Sequence, residues 1–197
     1  MRNSAVKLLI GANVAIYLMQ YVLGPGFEAS FALWPLHHPY FRIWQIVTYA
    51  FLHDTQNLAH IFFNMFGVFM FGTEIERNVG PRRLLACYFA SVVSAALAQL
   101  IVPPLLGAPS VAAVGASGGV FGLLLAYALM FPHRKVIPLI PPIPMPAWLF
   151  ATLYAALEFF FGVTGTMSGI AHFAHLGGMI GSALVVLRWR FARSRMG

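Results

Sequence analysis

Charge is scarce in this chain. Only 9% of its 197 residues are Asp, Glu, Lys or Arg, against about 25% in soluble domains, and the acids number five. An ordinary soluble domain is thereby excluded, and no long polar segment leaves room for one beside the apolar part. Cysteine is nearly absent as well. The single Cys87 lies in an apolar run and excludes an internal disulfide. No His-Glu-x-x-His stands anywhere in the sequence, and no carboxylate sits beside His60 or His175, so neither a zinc-protease centre nor any other metal or cofactor is expected.

Apolar length is what the chain has. Hydrophobic residues make up 60% of it and the mean hydropathy is +0.80, the composition of an integral membrane protein. Stretches of ~20 apolar residues are long enough to cross a bilayer as helices. Six occur, at about 5–23, 57–75, 82–103, 117–132, 147–164 and 169–188. Pro25-Gly26, Gly80-Pro81, Pro103-Pro104 and Pro132 punctuate them, and the five prolines from Pro138 to Pro146 rule out a continuous helix there, because proline removes a donor and clashes with the preceding turn. The expectation is an all-α membrane protein, one domain over residues 1–197. The first stretch, preceded by Arg2 and Lys7, is read as a retained helix rather than a cleaved leader, although Ala29-Ser30 could serve as a processing site.

The net charge of +7 would suggest nucleic acid in a soluble protein, but its distribution follows a membrane. Arg2 and Lys7, then Arg77, Arg82 and Arg83, then Arg134 and Lys135, then Arg188, Arg190, Arg193 and Arg195 fall on one side of a six-span arrangement. Only Arg42 of the twelve basic residues falls on the other. Short cytoplasmic loops carry the excess of Lys and Arg, so both termini are expected in the cytoplasm, and nucleic acid is not an expected partner. The bilayer is.

Spans two, four and six then enter from the outer side. At 1.5 Å per residue, Ser117, His175, His60 and Asn64 all lie within about 10 Å of the outer ends of their helices, and His60 and Asn64, four apart, share one helix face. Polar side chains inside a membrane are costly and mark binding, conduction or reaction. A hydroxyl beside an imidazole suffices for nucleophilic acyl transfer, the histidine taking the serine proton and later delivering it to the leaving group. Ser117 and His175 fit those roles. The Ser117 N–H at a helix N-terminus, the Asn64 amide and the His60 ring N–H are the donors available to an oxyanion. Gly115 and Gly118 flank the serine where glycine permits unusual backbone angles and close approach.

His60-Ile61-Phe62-Phe63-Asn64, Gly72-x-x-x-Glu76-x-x-x-Gly80, Gly115-Ala116-Ser117-Gly118 and Ala174-His175-Leu176-Gly177-Gly178, in this order over essentially the whole chain, resemble the rhomboid intramembrane serine proteases. The resemblance implies a six-transmembrane-helix rhomboid-like bundle in a bacterial-type cytoplasmic membrane, with an active site opening to the outer side. It also implies a Ser–His dyad that cleaves single-span membrane proteins in or near their transmembrane helices. Carried over by position, Ser117 is the nucleophile, His175 the base, His60 and Asn64 with Ser117 the oxyanion hole, and Phe121 the aromatic ring stacked on the imidazole. A catalytically silent rhomboid-like protein that binds client helices is the alternative.

Other residues carry lesser expectations. The family often has Trp-Arg in its first loop where this chain reads Trp44-Gln45, which puts the anchoring of that loop in question. His53 receives no role, and His172, one turn before His175, is the rival base. Gly178 and Ser182 offer a small face for close helix packing. Glu158 could orient His175, but the family uses no such acid, so a structural carboxyl is expected. Asn13 is expected to bond between helices, and Glu74, Glu76 and Arg77 to anchor the cytoplasmic interface.

Overall fold

The computed structural model describes residues 4–109, 111–139, 141–166 and 169–194. Arg2 and Arg195 lie outside them. The long helices follow the apolar stretches, as backbone groups in hydrocarbon must be satisfied within their own segment. They are α1 (Ala5–Leu23), α4 (Leu58–Val79), α5 (Pro81–Leu105), α6 (Ser117–Met130), α7 (Ala147–Thr164) and α8 (His172–Ser194). Two short helices, α2 (Pro25–Phe31) and α3 (Gln45–Thr48), lie in the long first loop, and β1 (Lys135–Val136) pairs antiparallel with β2 (Met145–Pro146) across the proline-rich linker.

Among the described residues, α1, α4, α5 and α7 have the length and apolarity of crossing helices. The other two expected spans differ for physical reasons. At 14 residues, α6 extends about 21 Å, short of the ~30 Å of a hydrocarbon core, and Phe131 and Pro132 stand outside it. In α8, two histidines and a basic C-terminal end dilute an apolar centre. This helix begins at His172 rather than at residue 169, which brings His175 into its first turn. Pro103 and Pro104 lie in the last turn of α5 instead of ending it; the N–H groups they lack cost the helix two bonds, and only at its end.

Within the bundle α5 buries Leu84, Cys87, Tyr88, Ser91, Val92 and Ala95 at helical spacing. The most extensive packing joins α8 to α5 and α6. Small residues make that approach possible: a Cβ at Gly178 would collide with the Gly118 carbonyl of α6, and one at Gly122 with the Ser91 hydroxyl of α5. Without a hydrophobic drive between helices in lipid, such contacts are what hold a bundle. The apolar side chains that remain exposed, such as Val22, Leu105, Phe159 and Leu184, suit contact with lipid.

Polar residues tie the helix ends and the loop. Glu76 accepts from Ser4 Oγ at 2.7 Å and from the backbone N–H groups of Ala5 and Val6 at 2.7 and 3.2 Å, so it caps the N-terminus of α1, where a carboxylate also meets the positive end of the helix dipole. Glu74 pairs with Arg77 and Arg134. Asn13 is fully buried and donates to Leu9 O of its own helix at 2.8 Å; its carboxamide faces the Tyr88 hydroxyl of α5 without an aligned hydrogen bond.

Gln45 answers the question of loop anchoring. Its side chain is fully buried; Oε1 accepts from the N–H of Arg42 (3.1 Å) and Trp34 (3.4 Å), and Nε2 donates to the carbonyls of Tyr40 (2.8 Å) and Ser30 (3.3 Å). One carboxamide thus satisfies four backbone groups. Gln45→Leu keeps the volume and leaves three of them without a partner, Ser30 O keeping the Trp44 Nε1–H at 3.1 Å, at a cost of about 2–3 kcal/mol. The expected drop in unfolding midpoint, read by thermal denaturation in detergent, is roughly 4–12 °C; a midpoint at the wild-type value would show that the loop is anchored elsewhere.

Candidate active site

The approach to Ser117 is made of backbone pairing. Leu33 and Ala113 exchange both backbone hydrogen bonds at 3.0 Å, the Gly115 N–H donates to Tyr49 O at 3.0 Å, and the Tyr49 hydroxyl donates to Val92 O of α5 at 3.0 Å. Gly115 adopts φ 126°, a conformation open to glycine, and a Cβ there would stand 2.7 Å from His60 Nε2. Ser117 follows as the first residue of α6, so its N–H is among the first-turn donors without a partner in the helix.

Three helix beginnings converge. Ser117 is the first residue of α6, His175 the fourth of α8, and His60 and Asn64 the third and seventh of α4. Ser117 Oγ and His175 Nε2 stand 2.8 Å apart, a hydrogen-bond distance. The Phe121 ring, one turn after the serine, lies parallel to the His175 ring at 4.2 Å and 4°. The four polar residues line a cleft of about 890 Å³ whose walls include Val120, Phe150 and Tyr154. Such a volume is of the size that admits a peptide segment or a small ligand.

Hydrogen bonding also fixes proton positions. His60 Nδ1 accepts the Asp54 backbone N–H at 3.1 Å; since that N–H can only donate, the ring carries its own proton on Nε2, the atom nearest Gly115. Asn64 donates one amide N–H to His60 O at 2.9 Å, which leaves the other for a ligand. His53 packs edge-on to His60 with centroids 5.1 Å apart. Burial first and the neighbouring His60 second push His53 down to about 4, so it backs His60 as a neutral ring.

Glu158, expected as a structural carboxyl, lies against both histidines at the start of α8. Its Oε2 lies 2.7 Å from His172 Nδ1, in a hydrogen bond, and 2.9 Å from His175 Nδ1. The second contact is off the N–H axis, so His175 Nδ1 has no aligned acceptor. The donor atoms of Glu158, His172 and His175 fall within 4.8 Å of one another, a grouping that sequence spacing did not announce. The Ser117 hydroxyl meets the ring of His175, while His172 turns to Glu158.

A family model described as the Rhomboid domain matches residues 40–190. The chain belongs to the rhomboid family. It is 30% identical over 178 residues to Rhomboid protein 1, mitochondrial, of Saccharomyces cerevisiae, covering 89% of this chain and 50% of that protein. With RHOMBOID-like protein 12, mitochondrial, of Arabidopsis thaliana it shares 30% over 201 residues, covering 95% and 59%. With Rhomboid protease GlpG of Yersinia pestis it shares 29% over 188 residues, covering 91% and 62%. This rhomboid therefore spans half to three fifths of the length of these relatives. It is a membrane-embedded member of the family, with several helices fit to cross a bilayer.

Proposed function

We propose that this rhomboid is an intramembrane serine endopeptidase in which Ser117 and His175 act as a catalytic dyad on single-span membrane proteins. The observation that carries the reading is the 2.8 Å separation of Ser117 Oγ from His175 Nε2 at the wall of a cleft. As Oγ attacks the scissile carbonyl, its proton passes to Nε2. The oxyanion meets the Ser117 N–H, the free Asn64 amide N–H and His60 Nε2–H. Nε2–H then protonates the leaving amine as the C–N bond breaks, and water, deprotonated in the same way, releases the acyl group. Loss of one oxyanion donor typically costs about 2.7–4 kcal/mol in the barrier. Phe121 holds the imidazole plane.

The proposal extends to topology. Six spans, both termini on the cytoplasmic side of the cell membrane and a cleft opening outward are supported by the basic residues, all but Arg42 of which fall on one side. Single-span helices as the substrate class rest on the resemblance to rhomboid intramembrane proteases.

A fluorophosphonate probe tests the chemistry. Purified protein in detergent is expected to label, and Ser117→Ala is expected not to; the wild type should also cut a model single-span substrate in proteoliposomes. Folded wild-type protein that neither labels nor cuts would leave the silent, client-binding reading in its place.

A further inference from the structure

We propose that Glu158 is a positioning residue for the His175 base, so that this rhomboid supports its imidazole with a carboxylate. The proposal rests on Ser117 and His175 being nucleophile and base. For Nε2 to accept the serine proton, the neutral ring must carry its other proton on Nδ1. Glu158 Oε2 stands 2.9 Å from that atom and 2.7 Å from His172 Nδ1. An ionised carboxyl oxygen accepts from N–H groups on both rings and carries the negative charge that attracts them. The carboxylate therefore favours the required tautomer and stabilises the imidazolium formed when the serine proton arrives. It takes up no proton itself: the hydroxyl proton goes to Nε2 as the O–C bond forms and leaves with the amine as the C–N bond breaks.

Each neighbour has a separable task. The Phe121 face fixes the plane of the ring, but a ring held only by its face can still carry its proton on either nitrogen. Glu158 supplies the sign of charge that decides between them. His172 supplies the aligned hydrogen bond that holds the carboxylate, since Glu158 Oε2 lies off the His175 N–H axis and acts there through charge. The setting is dry enough for that charge to matter: the Glu158 side chain is 12% exposed and those of His172 and His175 are 7% and 9%.

Steady-state cleavage of one single-span substrate by wild type, Glu158→Gln and Glu158→Asp tests this, with unfolding midpoints measured alongside. Glu158→Gln keeps the shape and removes the charge. Its kcat should fall about tenfold or more, a fraction of what general acid–base catalysis supplies, with KM within about twofold. Glu158→Asp restores the charge and should recover several-fold of the lost kcat, even if it melts no higher than Glu158→Gln. Wild-type kcat in Glu158→Gln would overturn the proposal, as would kcat values that merely follow the melting temperatures. Activity abolished by a chelator and restored by Zn²⁺ would make the cluster a metal site and overturn it too. Inactive wild-type protein would instead defeat the protease reading, a separate outcome.

Discussion

Alanine at Ser117 or at His175 will each reduce substrate cleavage by on the order of 10⁴-fold or more, and the double variant will lose no more than either single one. In the proposed dyad nucleophile and base act on one proton, so removing either leaves the other without a partner; what survives is the stabilisation that the oxyanion donors provide on their own. Initial rates on a fluorogenic single-span substrate in proteoliposomes read this directly. His172→Ala belongs in the same assay and should lose far less, no more than Glu158→Gln does, because His172 reaches the dyad only through Glu158 while the Ser117 hydroxyl meets His175. Full loss in His172→Ala with activity retained in His175→Ala would reverse the assignment of the base.

Gly178→Ala should have the next largest effect without touching a reacting group. The added methyl would run into the carbonyl of Gly118, and a helix carbonyl fixed by its own backbone cannot rotate away as a side chain can. The two helices must separate, and the residues flanking the collision are the reacting ones: Ser117 precedes Gly118, and His175 lies one turn before Gly178. A 1 Å displacement of such a pair costs about 10²-fold in rate, and overpacking of this kind typically costs roughly 1–3 kcal/mol of stability. Loss of fluorophosphonate labelling rate together with a lower unfolding midpoint is the expected result. Gly11→Ala is the control, since a Cβ there meets nothing within 4 Å; equal behaviour of the two variants would remove the seam from the account.

The helices were legible because hydropathy and backbone satisfaction in lipid leave few alternatives. The Ala5–Leu23 helix lies where the apolar run lies. Family membership was legible from short motifs whose order and spacing are linear properties of the chain. Contacts between antiparallel helices are not. Glu158 stands six residues before the end of α7 and His172 opens α8, and nothing in their spacing fixes how that turn folds back. Gln45 was equally opaque, because its partners are carbonyl and N–H groups that every residue has. The one signal available was a glutamine after Trp44 where the resemblance leads one to expect arginine. The length of α6 escaped because Phe131 and Pro132 are apolar enough to pass for helix.

The glycine seam has a consequence for the order in which the protein is made. Ser117 and His175 are 58 residues apart, and the helix that brings the histidine is the last of the bundle to leave the ribosome. Until α8 slides Gly178 against Gly118, a nascent chain holds a serine with no base beside it. In the proposed mechanism the newborn protein is thus inert toward its neighbours throughout insertion, and its proteolytic activity starts with the closing of its own last helix.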